Sequence, residues 1–407
     1  MDLLRGAIRQ YAWGSRTAIA GLMNRPAPSE QPEAELWLGA HPGDPAFLVS
    51  PTGSHSLLEL LRDDPQTHLG TRVVGQFGPE LPFLMKVIAA DQPLSLQAHP
   101  NSAQAAEGFE REERDNLPVS APHRNYRDAR HKPEIVVALE EFDALAGFRP
   151  MLDTRRLLQA FGVRRLADAE ELNAPNEPDG VRALFTRWMN QPQYVVDRLV
   201  SALTTGAKRY LELRGVMFAP EAKTILELAE LYPGDPGVLA ALLLNRITLQ
   251  PGEALFLPAG NLHAYLRGVA IEVMANSDNV LRGGLTSKHV DLTELLRVLD
   301  FAPITEERLR PAIDRDGPCV MYTPPVEEFR VSVWSLGPDY VGREVTALEH
   351  EDGPHIFLCT KGSVTIRDSH RKFTLSRGEA AWISAQDRPI RLLADCSSQV
   401  FCAGVRP

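Results

Sequence analysis

Two stretches of this 407-residue chain read alike, Leu249-Gln-Pro-Gly-Glu-Ala-Leu-Phe-Leu-Pro-Ala259 and Leu375-Ser-Arg-Gly-Glu-Ala-Ala-Trp-Ile-Ser-Ala385. Both follow the pattern Leu-x-x-Gly-Glu-Ala-x-aromatic-aliphatic-x-Ala. A Gly-Glu turn feeding a short apolar strand recurs in small antiparallel barrels, so the echo constrains the chain to two related β modules. The surrounding text agrees. From Leu3 to about Phe148 short apolar runs alternate with Gly/Pro breaks, as in LWLGAHPGDPAFLVS, which predicts many short strands. Between about Pro150 and Tyr232 apolar residues recur three and four apart, as in TRRLLQAF, VRALFTRWM, YVVDRLVSAL and KTILELAELY, which predicts helices. The Pro-containing stretch 173–180 reads as a surface loop inside that block. The economical architecture is mostly β with an α-helical insertion in the first module. Its expected boundaries are 1–149 and 237–305 for the two parts of the first module, 150–236 for the insertion, and 306–407 for the second module.

A 44% hydrophobic and 24% charged composition supports sizeable cores without covalent staples. The four cysteines, Cys319, Cys359, Cys396 and Cys402, lie in the last quarter and form no CxxC pair. Neither a disulfide framework nor a thiolate zinc site is therefore expected, and the thiols fit a reducing cytoplasm. A formal net charge of -10 disfavours nucleic acid as a partner while leaving room for a small basic pocket around one phosphorylated metabolite. The longest apolar run, Val238 to Leu244, falls far short of the ~20 residues that cross a bilayer. The start, MDLLRGAIRQYAWGS, lacks the apolar core of a signal peptide. The expectation is a cytoplasmic protein with neither a membrane nor a nucleic acid as partner; the oligomeric state is left open.

The chemistry concentrates in three places. In PLSLQAHP at 93–100, Ser95, Gln97 and His99 occupy every second position, so in an extended strand they share one face while Leu94, Leu96 and Ala98 pack on the other. His131-Lys132-Pro133-Glu134 leads into the apolar IVVAL and places an acid where a strand meets the core. Asn261-Leu262-His263-Ala264-Tyr265 follows the first Gly-Glu strand. Two neutral imidazoles, a carboxylate and an amide oxygen make a borderline N/O set suited to one divalent metal of four or five ligands with an open position.

These residues belong to segments that resemble the type I phosphomannose isomerase family of the cupin superfamily: YAWGS at 11–15, PLSLQAHP at 93–100, HKPEI at 131–135, LQPGEALFLPAGNLHAYL at 249–266 and IEVMANSDNVLRGGLTSKHVD at 271–291. They occur in the family's order from the N-terminus to about residue 291. The resemblance implies a cupin (jelly-roll-like) barrel carrying an inserted helical domain, followed by a second cupin-like domain. It implies one zinc ion per chain on Gln97, His99, Glu134 and His263, with Arg282 as the catalytic arginine. Ser95, Lys132, Tyr265, Glu272, Asp278 and Lys288 are then expected around the sugar phosphate, with Lys86 as a further contact. Two positions depart from the family's usual text, Gly283 after the arginine and Ser287 before the lysine, and neither removes a charged group.

The reaction so implied interconverts mannose 6-phosphate and fructose 6-phosphate through an enediolate, with Glu272, or a hydroxide on the metal, as the base, and Lys132 steadying charge. Two other classes remain on the sequence. A non-catalytic sugar- or metal-binding cupin would need neither Arg282 nor the lysines, and an iron-dependent cupin oxygenase would consume oxygen.

Overall fold

One strand, His263–Ala275, organises the first module. In the computed structural model, which describes residues 1–50, 53–349 and 353–406, its first half pairs with Phe142–Phe148 on one side and with Gln97 on the other. Its second half pairs with Phe83–Ala90 and with Glu134–Ala138. The strand thus leaves one sheet and enters another. The turn falls at Gly268, whose φ of 117° lies in a region glycine favours and where a Cβ would sit 2.4 Å from the Glu141 carbonyl oxygen. The ladder also shifts register between Tyr265 and Arg267. The outcome is a sandwich of two sheets sharing a strand, filled by Ile88, Val136, Phe142, Ile247, Leu255 and Ala270.

The helical insertion fills the hairpin between Phe142–Phe148 and Leu244–Leu249, which pair antiparallel with Leu244 opposite Phe148. Its helices begin at Met151–Ala160 and continue past the predicted end to a short 3-10 turn at Ala241–Leu243. Leu157, Leu184, Trp188, Leu203 and Leu228 form its core, each worth about 1.5–3 kcal/mol in apolar burial. The same core takes in Leu96, Ala98, Leu281 and Leu285, the backs of the segments that carry Gln97 and Arg282.

In the second module a nine-stranded sheet faces a four-stranded one across Leu336, Phe357, Val364, Ile366, Leu375 and Leu392. Strand pairing runs across the boundary expected at residue 306. Asp2–Arg5 lies in the nine-stranded sheet, with Asp2 opposite Trp382 and Leu4 opposite Ala380. The two modules join face to face through Leu36, Val87, Ile135 and Val273 on one side and Phe329, Ile356, Trp382 and Phe401 on the other.

Three local expectations are corrected. The stretch 173–180 is irregular only over 174–176, because Glu177–Met189 is already helix and Pro178 suits its first turn. The first 149 residues hold helices that strand-like texture hid, among them Leu57–Asp63, Thr71–Phe77 and Ser102–Arg114. The last of these begins with a capping box in which Asn101 and Gln104 bond each other's backbone N–H at 2.9 Å. Within 93–100 only Gln97–Ala98 is strand, since Pro93 and Pro100 cannot donate to a ladder.

Candidate active site

Gln97 stands directly opposite His263 on one side and opposite Arg282 on the other, so the three side chains form a row on one face of the sheet. His99 follows two residues after Gln97. Glu134 opens its strand one position after Pro133, whose ring holds Lys132 extended.

The backbone fixes both imidazoles. His99 Nδ1 lies 2.7 Å from the Asn279 carbonyl oxygen and His263 Nδ1 lies 3.0 Å from that of Asn261. A carbonyl only accepts, so each Nδ1 carries the proton and each Nε2 turns its lone pair inward. The two Nε2 atoms stand 3.4 Å from opposite oxygens of Glu134. Atoms that bind one tetrahedral ion at about 2.0–2.1 Å stand roughly 3.4 Å apart, so the spacing fits a shared metal. All three residues are buried, at 1%, 3% and 3% exposure, and His99 Nε2 has no hydrogen-bond partner among the described residues. A buried imidazole nitrogen left without a partner is costly unless something occupies that position. Burial, then the Lys132 ammonium, pushes His99 down to about 4 against the pull of Glu134, so the ring is neutral and ready to ligate. Burial works to raise Glu134, but Lys132 at 2.9 Å and His99 hold its carboxyl well below the usual range.

A second buried set lies on the same inner face, because Glu272 is opposite both Val136 and Lys86. Lys86 Nζ is 3.0 Å from one oxygen of Glu272, and the Tyr265 hydroxyl donates to the other at 2.8 Å. Burial raises the Glu272 carboxyl despite Lys86, and raises Tyr265 well above an ordinary phenol with Glu272 adding to the shift. Burial alone would lower Lys86, but Glu272, Glu35 and Glu134 together outweigh it and keep the ammonium charged.

Ser95, Gln97 and Arg282 are half-buried and have no side-chain hydrogen bond to protein among the described residues. Arg282 likewise has no ion pair there, and burial followed by the nearby Arg127 charge lowers its affinity for a proton. Lys288, on the exposed rim, is lowered by burial and by Arg282 and Arg127. Three cations thus face one another at the mouth. Asp278 turns instead to His41, whose Nε2 is 3.3 Å away while its Nδ1 accepts from Gly43 N–H.

Sequence reasoning passed over Asn279, Asp128, His41 and Arg127. Asn279 is fully buried, and its side chain accepts from Arg127 N–H at 2.7 Å while its carbonyl holds His99. The only readable hint was its place in the Asn-Ser-Asp-Asn string, a turn signal.

The model of "Phosphomannose isomerase type I, catalytic domain" matches residues 1–151. Mannose-6-phosphate isomerase of Salmonella typhimurium is 38% identical over 391 residues, 96% of each chain. The chain belongs to the type I phosphomannose isomerase family. The relative in Rattus norvegicus, also a mannose-6-phosphate isomerase, is 35% identical over 404 residues, 93% of this chain and 92% of its own. A zinc-bound mannose 6-phosphate isomerase structure superposes with a TM-score of 0.88 at 35% identity, covering 100% of this chain and 99% of the other. A variant of the Salmonella typhimurium enzyme superposes at 0.89 and 35%, with both chains wholly covered. The expected fold, a cupin with a helical insertion and a second cupin-like module, is therefore that of the type I family.

The sequence echo has a structural counterpart. Glu134 is opposite Leu257 in the first module, and His355 is opposite Ile383 at the matching position of the second. The residue matching His263 there is Pro389, which offers no donor, and the Arg388 guanidinium lies 3.0 Å from His355 Nδ1. Among the described residues the one cluster of three or more His, Cys, Asp or Glu donors is His99, Glu134 and His263. Elemental analysis after dialysis from excess zinc is expected to give one ion per chain, and a second tight ion lost on His355→Ala would contradict it.

Proposed function

We propose that this protein is a zinc-dependent mannose-6-phosphate isomerase that converts mannose 6-phosphate and fructose 6-phosphate into each other through an enediolate. The observation that carries the reading is the triad His99, Glu134 and His263, whose ligand atoms lie within 4.8 Å of one another in a chain aligned end to end with enzymes of that name. With Gln97 as fourth donor, this set would hold the ion. When bound, zinc supplies Lewis-acid polarisation of the sugar's carbonyl and hydroxyl oxygens.

The chain's own groups move and steady the charges. Glu272 takes the proton from C2 and returns it to C1, its basicity raised by burial and its carboxylate aimed by Lys86 and Tyr265. Arg282 sits beside the oxygens on which the enediolate's negative charge develops, and its fork is permanently charged. Lys132 holds Glu134 ionised and adds positive charge to the pocket. Lys288 receives the phosphate at the rim, while Ser95 and Asp278 meet the sugar's hydroxyls. No helix of the described residues is long and apolar enough to cross a membrane, and a cytoplasmic enzyme is the reading that fits the free cysteines.

The test is a coupled assay on mannose 6-phosphate before and after chelation, with metal content measured on the same sample. Turnover is expected to fall at least tenfold with the lost zinc and to return on adding zinc back. Full turnover of metal-free protein would overturn the zinc assignment. Metal binding without turnover would favour a sugar-binding cupin, and iron with oxygen uptake an oxygenase.

A further inference from the structure

We propose that Asp235, at the end of the helical insertion, is a positioning residue that sets the place of Lys288 and with it the affinity for the substrate's phosphate. Asp235 Oδ1 accepts from its own turn at Gly237 N–H, 2.7 Å away. Its other oxygen reaches out of the insertion and accepts from Thr286 N–H at 3.2 Å. The Thr286 hydroxyl in turn accepts from Lys288 N–H at 3.1 Å. A chain of two hydrogen bonds therefore runs from one carboxylate to the backbone of the rim lysine. The packing leaves little freedom around it. Gly284, at φ 114°, has Gly237 and Asp235 on its side-chain side, where a Cβ would lie 2.8 Å from the Gly237 Cα and 2.8 Å from Asp235 Oδ1.

Arg282 does not depend on this carboxylate, because its strand is paired with Gln97–Ala98 and Gly283 N–H bonds the Leu96 carbonyl at 2.8 Å. Lys288 lies beyond that pairing, exposed, and has no side-chain partner among the described residues. Asp235 thus acts on Lys288 and leaves Arg282 in place. This presupposes that Lys288 holds the phosphate as proposed above.

The test titrates inorganic phosphate into the full-length zinc protein by calorimetry, which needs no turnover. Asp235→Ala is expected to weaken phosphate binding about tenfold, the scale of a hydrogen bond to a charged group. It should raise KM for mannose 6-phosphate to match while kcat stays within about threefold. Lys288→Ala should weaken phosphate binding at least as much, and the double variant should be no weaker than Lys288→Ala alone. Asp235→Asn, which keeps one acceptor, should show a smaller change and serves if the alanine variant does not fold. Unchanged phosphate affinity, or a loss that adds in full to that of Lys288→Ala, would overturn the proposal. So would a wild-type protein that binds no phosphate. A wild-type protein that binds phosphate and does not isomerise mannose 6-phosphate would count against the isomerase reading alone.

Discussion

Arg282→Ala is expected to lower kcat by roughly two to three orders of magnitude, the scale of losing one electrostatic donor in a preorganised site. Among the described residues its fork has no carboxylate partner, so no acid there competes for its charge and its removal leaves none of them unpaired. The backbone hydrogen bonds that place it belong to the Leu281–Arg282 strand and survive the truncation. Zinc content and melting temperature are therefore expected to stay at wild-type values. An interaction made only with charge that develops in the transition state lowers kcat and kcat/KM together. Steady-state kinetics on mannose 6-phosphate, with metal analysis on the same protein, decide the matter. A variant with near-normal kcat and a raised KM would make Arg282 a phosphate clamp and shift the catalytic burden to Lys132 or Glu272.

His263→Ala strikes the candidate metal site. One imidazole of the triad disappears, and Glu134 loses a neighbour 3.4 Å away. Because even the loss of an outer partner of a ligand costs about ten- to a hundredfold in affinity or activity, loss of a ligand is expected to cost more than a hundredfold in turnover, with bound zinc falling in step. His263→Gln restores a neutral donor and should recover part of both. Full zinc occupancy in the alanine variant would remove His263 from the ligand set.

The residues of this candidate site were readable because their types and spacing are local. His99 and Gln97 alternate along one extended segment, and Glu134 follows a proline. What fixes their side chains was not readable. The carbonyl that orients His99 belongs to Asn279, 180 residues on, and any residue type supplies a carbonyl. The sheet architecture was legible as texture and as the Gly-Glu echo, whose two copies pair with their partner strands in matching register. That His263–Ala275 serves two sheets was not, since a single glycine inside an apolar run does not say which way a strand will turn. The helix Ser102–Arg114 was missed although its capping pair Asn101 and Gln104 stood in plain text, because alternating apolar runs on both sides outweighed it. Asp235 stood in Tyr-Pro-Gly-Asp-Pro-Gly, a turn signal that marks where the chain bends and says nothing of what it holds.

The strand Asp2–Arg5 lies between Phe47–Ser50 and Ala380–Ile383, so one of its two neighbours is made soon after it and the other long after. At a synthesis rate of about 5–20 residues per second, the interval between them is roughly twenty seconds to more than a minute. During that time one edge of the first strand has no partner, and an open edge is a template for pairing with a neighbouring chain. The nine-stranded sheet is complete only after Ala380–Ile383 has been made, so the pace of synthesis sets the earliest moment at which the first strand is paired on both sides.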